Sequence, residues 1–199
     1  MGQTHMLIRN ISYATNVIEN TIPGELILIE NRNGAITDLL LKSIIQDLVL
    51  DEMEPVYIAE RDRIKDVVTM ISLGYEETVN QVMENSLFID EYNTLFISSE
   101  RASMGFPVLI VDDLEFAVYC NRDISYCIGE NPMHFIVLNE LAYLSKKNDM
   151  PVVVITHPVS HGANGHLGFD DNYGLSTYDP FKAHIICTNN NVFIQTKEG

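Results

Sequence analysis

Between Pro23 and Leu40 the chain reads PGELILIENRNGAITDLL, a polar segment set between an apolar run and an amphipathic stretch, the layout of a phosphate-binding loop. The chemistry of G-x-x-x-x-G-K-[ST] needs glycines that let backbone N–H groups close around a polyphosphate. It also needs a lysine to meet the charge and a hydroxyl to hold magnesium. In that register Glu30 stands at the first glycine, Ala35 at the second, Ile36 at the lysine and Thr37 at the hydroxyl, so the hydroxyl alone is kept. Ile36 cannot make the charge-assisted contact of a lysine, and Glu30 adds negative charge where a phosphate would lie. Asn33 and Gly34 remain as candidate nucleotide contacts beside Thr37. Thr37 followed by Asp38 at a helix start is also an N-terminal capping arrangement, which is the reading favoured here.

Other groups that could do chemistry give weaker signals. His157, His161 and His166, with Asp170 and Asp171 beyond, are residue types that suit zinc or iron, but their spacing matches no closed structural site, and no metal is assigned. Cys120 and Cys127 flank a short loop segment without a zinc pattern. Tyr119, Tyr126, Tyr173 and Tyr178 have faces on which bases can stack, though loop tyrosines more often pack locally. No Ser/His/Asp order, paired-carboxylate motif or Gly-rich dinucleotide loop stands out.

These residues must be positioned by elements whose pattern is legible. Leu26 to Ile29 is a buried strand, followed by a helix from about Ile36 to Leu50 with Leu39, Leu40, Ile44, Ile45 and Leu48 on its apolar face. Pro55 to Ala59 is the second strand, and a helix near Asp62 to Leu73 stops at Gly74. A short helix is expected at Glu76 to Asn85, and short strands at Ser86 to Asp90 and Thr94 to Ser98. Pro107 to Val111 is expected to be the central strand, ending at Asp112-Asp113, and a helix from Met133 to Lys147 leads into a strand from Pro151 to Thr156. Ala183 to Cys187 and Val192 to Thr196 form a hairpin around Asn189-Asn190-Asn191. Alternating strands and helices predict an α/β fold, a mainly parallel sheet flanked by helices, with a C-terminal β-hairpin. The 199 residues, 46% of them hydrophobic, suit a single domain spanning 1–199, with about 1–22 as a docking or packing segment.

Twelve Lys+Arg against 28 Asp+Glu give a net charge of −16, which works against non-specific nucleic-acid binding. No apolar run approaches the roughly 18 residues of a membrane span, and no signal peptide is visible. Three cysteines, Cys120, Cys127 and Cys187, cannot all pair within the chain, and a cytoplasmic location is expected.

Five segments, in order, resemble the RecA-like ATPases, within them the KaiC and DnaB-type helicase branch. IPGELILIE is similar to the strand before the phosphate loop, and PVYIAERD to the strand ending in the glutamate that polarises the attacking water, here Glu60. FPVLIVDDLEF resembles the strand ending in the magnesium-associated aspartate, here Asp112 and otherwise Asp113. MPVVVITHPVSHG resembles the strand whose polar end senses the γ-phosphate, with Thr156 and His157 at its tip. NYGLSTYDPFKAHIICTNNNVFIQTKEG is similar to the helicase segment that returns to the last strands. The resemblance implies a RecA-like three-layer fold across about Tyr13 to Gly199.

The departures bear on function. Where helicases of this branch carry a basic pair that reaches a neighbouring subunit's site, the matching positions are Gln195 and Lys197. The stretch His157 to Lys182, where relatives commonly bind single-stranded DNA, has no basic residue before Lys182. With the loop lysine gone, Glu60 and Asp112 are read as inherited polar residues at the strand ends. The expected function is a pseudo-ATPase with no cofactor, acting through a protein partner, a helicase or recombinase, in DNA replication, recombination or repair. Homo-oligomers, weak or no direct nucleic-acid binding and no membrane contact go with it. The rivals are an active ATPase using Mg-ATP, in which Arg32 or a neighbouring subunit's lysine supplies the missing charge, and a direct single-strand DNA binder.

Overall fold

A computed structural model describes residues 2–50, 55–60, 62–63, 65–67, 87–89, 108–114, 117, 133–157 and 181–197. Seven strands and three helices are placed among them. They are α1 (Gly2–Glu19), β1 (Leu26–Asn31), α2 (Gly34–Leu50), β2 (Pro55–Ala59), β3 (Leu87–Ile89), β4 (Val108–Asp112), α3 (Met133–Asn148), β5 (Val152–Thr156), β6 (Phe181–Cys187) and β7 (Val192–Thr196). The expected helix at 76–85 and strand at 94–98 lie outside the described residues, as do Tyr119, Cys120, Tyr126, Cys127, His161, His166, Asp170, Asp171, Tyr173 and Tyr178.

The strands form one sheet in the order β3-β2-β4-β5-β1-β6-β7. Six run parallel, and β7 returns antiparallel against β6 as the expected hairpin. The middle of the sheet is β5 and not the strand ending at Asp112, because β5 sits between β4 and β1 and pairs with both.

Alternation along the strands sorts the core into two layers. Ile27 and Ile29 of β1, Val108 and Ile110 of β4, and Val153 and Ile155 of β5 join α1 and α2 on one face. Leu26 and Leu28, Leu109 and Val111, and Val152 and Val154 join Val137, Leu138, Leu141 and Leu144 of α3 on the other. The chain moves one way across the sheet from β1 through α2 to β2, and the opposite way from β4 through α3 to β5. Right-handed crossovers in opposite directions put their helices on opposite faces, as found.

On α2 the buried face is Ile36, Leu40, Leu41, Ile44 and Ile45, whereas Leu39, expected in the core, is 46% exposed. The core stripe follows spacings of four residues along the rows Ile36, Leu40, Ile44 and Leu41, Ile45, and of three from Leu41 to Ile44, which leaves Leu39 on its flank. The first segment packs on its own domain. Ala14 and Ile18 are buried against α2 and the sheet, and Asn10 Nδ2 donates to Asn191 Oδ1 and the Val192 carbonyl at the hairpin turn. Tyr13 points away and is exposed.

The approach to β1 is a turn, Ile22-Pro23-Gly24-Glu25, closed by Glu25 N–H to the Ile22 carbonyl at 3.0 Å. Gly24 has φ +93°, the value a type II turn needs at its third position and one that side chains resist. Its N–H donates to Ser145 Oγ at 2.8 Å, which ties the start of β1 to the end of α3.

Candidate functional site

Parallel strands bring their carboxyl ends to one edge of the sheet, where ligands gather in open α/β folds. Here that edge joins the tips of β1, β4 and β5, with β2 beside them. The connection from β1 to α2 is far shorter than a phosphate loop. Glu30 and Asn31 still belong to the strand and the helix begins at Gly34, so only Arg32 and Asn33 lie between them.

The cap of α2 is Asn33, whose Oδ1 accepts the Ile36 N–H at 3.1 Å, and not Thr37 as expected from sequence. Thr37 lies one turn into the helix, where its own N–H already bonds the Asn33 carbonyl at 3.0 Å. It is fully buried, and its hydroxyl donates to Asn31 Oδ1 at 2.9 Å or to the Asn33 carbonyl at 3.1 Å. A helix start in need of partners is thus served by its own asparagine. Gly34 has no heavy atom within 4 Å of an added Cβ, so neither space nor close approach requires a glycine there. Asn33→Ala should therefore cost about 1 kcal/mol, and Gly34→Ala should leave stability unchanged or raise it by about 0.5 kcal/mol, both read from urea unfolding.

Glu30 does not add charge to the α2 face as the motif register implies. It follows Leu26 and Leu28 onto the α3 face, where Arg32 Nε lies at 2.5 Å and His184 Nε2 at 3.1 Å. Arg32, a candidate stand-in for the missing lysine, is engaged there. Gln195 stands opposite His184 across the hairpin, and the Lys197 N–H donates to the Lys182 carbonyl at 2.9 Å.

The α2 face of the edge is organised around Asp112, the last residue of β4, whose side chain is 1% exposed. Its Oδ2 accepts the Tyr57 hydroxyl and Arg63 Nε, the latter at 2.6 Å, and its Oδ1 meets His157 Nε2 at 3.2 Å. Directly opposite Asp112 stands Ala59, and a methyl there leaves room for Tyr57 and Arg63 to reach the carboxylate. Arg63 Nη2 bonds Asp38 Oδ1 at 2.6 Å, which brings the N-terminal part of α2 into the network. The His157 ring also meets Asn31 Nδ2 through Nδ1 at 2.8 Å and lies 3.5 Å from Asp113 Oδ2.

Burial pushes the Asp112 carboxyl up, but the hydrogen bond from His157, the Arg63 charge and the bonds from Tyr57 and Arg63 outweigh it and hold it below 3.8. The hydrogen bond with Asp112 raises His157 above 6.5 against the opposing effect of burial, and the Asp112 and Asp113 charges add to the rise. Burial, and then the Asp112 charge, push the Tyr57 phenol well above its usual 10.0, so it stays a donor. Cys187, buried at the tip of β6, is pushed up to about 11 by desolvation against a bond to Thr37, and its thiol stays protonated near neutral pH. A raised folded pKa stabilises below the unfolded value and ceases to do so as pH rises through the folded one. His157 thus adds its full stabilisation below pH 6.5 and loses it above its raised value. Chemical unfolding at about pH 6 and about pH 9 should show a decline in the parent protein that His157→Gln flattens.

The edge brings together Asp112, Asp113, His157, Asn33 and Thr37 of the residues singled out from sequence. Thr156 is buried with its hydroxyl 3.5 Å from the Ile29 carbonyl, and Glu60 is exposed at the end of β2. Asn31, Tyr57, Arg63 and His184 were not singled out. Of these, Tyr57 alone carries a signal in the sequence, a polar tip within the apolar run Pro55 to Ala59. Among the described residues no group of three or more His, Cys, Asp and Glu side chains is arranged to hold a metal, and no helix is long and apolar enough to cross a membrane. No protein-family model matches the chain, and no curated protein is significantly similar to it.

Proposed function

We propose that the chain is a RecA-fold pseudo-ATPase that acts by binding a protein partner in DNA replication, recombination or repair. The fold reading is supported by the five resembling segments: four end at one edge of the sheet, and the fifth closes it as an antiparallel hairpin. The loss of nucleotide chemistry is carried by one observation. Asp112, the aspartate that would face a magnesium ion, has three of its roughly four acceptor positions taken by Tyr57, Arg63 and His157. The capped helix start and the two-residue connection before it agree, since a polyphosphate needs free N–H groups and a concave loop. The residues present therefore do not fit a magnesium nucleotide, and no catalytic step is assigned to them.

Calorimetry with Mg-ATP tests this reading, and no heat of binding is expected at micromolar concentrations. Micromolar binding that disappears in Thr37→Ala would overturn it. Binding to single-stranded DNA is expected to be weak at physiological salt, because a net charge of −16 offers little counterion release. Fluorescence anisotropy with an oligonucleotide measures it, and tight, strongly salt-dependent binding would favour the DNA-binding rival. For the partner itself, affinity purification from the native cell should recover a helicase or recombinase. Consistent recovery of proteins from unrelated processes would remove that part of the proposal.

A further inference from the structure

Two carboxylates from distant parts of the chain meet at the edge, Asp38 near the start of α2 and Asp112 at the tip of β4. One guanidinium holds both: Arg63 Nη2 to Asp38 Oδ1 and Arg63 Nε to Asp112 Oδ2, each at 2.6 Å. Adjacent nitrogens of a single planar group make these bonds, so the two carboxylates are brought close together. Such oxygen donors are the type that bind magnesium and manganese, and a buried carboxylate needs a compensating cation. The resemblance to ATPases would put a metal ion beside Asp112, whereas this chain puts its own side chain there.

We infer that Arg63 is the resident cation of this edge, standing in place of a divalent ion and keeping one out. A tethered guanidinium is permanently charged and needs no metal supply. It also crosslinks the helical residues after β2, the start of α2 and the tip of β4, so the edge keeps its shape without a ligand. Tyr57 and His157 donate to the same carboxylate, and Arg63 fills the third of its roughly four acceptor positions. The identity of the expected ion rests on the RecA-like reading, but the exclusion of a divalent cation by Arg63 rests on the geometry alone.

Manganese is the probe, and paramagnetic relaxation of water protons is the readout. Arg63→Ala and Arg63→Gln should bind Mn²⁺ roughly tenfold or more tightly than the parent protein, and adding Asp38→Asn to Arg63→Ala should abolish the gain. Arg63→Lys, which keeps the charge, should exclude the ion as the parent does. If the uncharged variants are unfolded in metal-free buffer, Mn²⁺ should restore their far-ultraviolet circular dichroism. The inference is overturned if folded uncharged variants bind Mn²⁺ no better than the parent, if unfolded ones are not restored, or if the lysine variant binds as readily as the alanine one. Mg-ATP calorimetry on the parent protein tests the functional reading separately. Binding of ATP there would remove the pseudo-ATPase proposal and leave the manganese result to judge Arg63.

Discussion

Asp112→Ala is expected to destabilise the protein by about 3 kcal/mol, the low end of what removing one partner of a buried ion pair costs. The low end applies because Arg63 keeps Asp38 as a partner and is 21% exposed, so its charge is not stranded in a dry interior. The Tyr57 hydroxyl and His157 Nε2 lose their acceptor at the same time. Urea unfolding of Asp112→Ala, Arg63→Ala and the double variant measures the coupling. An energy clearly above zero is expected, and strict additivity would mean that the 2.6 Å contact does not stabilise the fold. The pH dependence has a definite sign. Asp112 titrates below its unfolded value of 3.8, so its stabilisation is complete above that value and disappears as pH falls through the lower folded one. Acid unfolding of the parent should be steeper in that window than acid unfolding of Asp112→Asn.

Ile18→Ala is expected to cost about 3 kcal/mol, and Tyr13→Ala less than about 0.5 kcal/mol. Ile18 is 1% exposed within the cluster built by α2 and the sheet, so truncation leaves a cavity, whereas Tyr13 is 54% exposed and its removal leaves none. The contrast separates the two roles expected for the first segment. Packing on its own domain belongs to the face of α1 carrying Ala14 and Ile18, and any docking role belongs to the exposed face carrying Tyr13. Removing residues 1–20 should then lower the thermal midpoint of the domain, because it strips Ile18 from the core and Asn10 from the hairpin turn. Equal stability of the shortened and full chains would show that α1 is an appendage.

The order of elements was legible from residues alone wherever burial imposes a period. Leu26 to Ile29, Tyr57 to Ala59 and Val152 to Ile155 are largely apolar because strands with helices on both faces are buried on both sides, and α3 keeps its helical stripe. The hairpin was marked by three consecutive asparagines between strand-like runs. The start of α2 was misplaced by two residues because a motif register was laid over a connection too short to hold it, and the true cap, Asn33, follows from the geometry of that turn. The site was legible only in its endpoints. Asp112 and His157 stand at strand ends, which a sequence can locate, but what surrounds them depends on which strands are neighbours. The order β2-β4-β5-β1 places Tyr57, Asp112, His157 and Asn31 side by side although 126 positions separate Asn31 from His157. Arg63 reaches Asp112 across 49 positions through the space beside Ala59. Local periodicity carries no information about such pairs, because they are selected by strand order and by which face each side chain takes. The amino-acid sequence therefore determined the elements and the absence of a lysine between Glu30 and Thr37, and only the tertiary structure decided that an arginine occupies the edge.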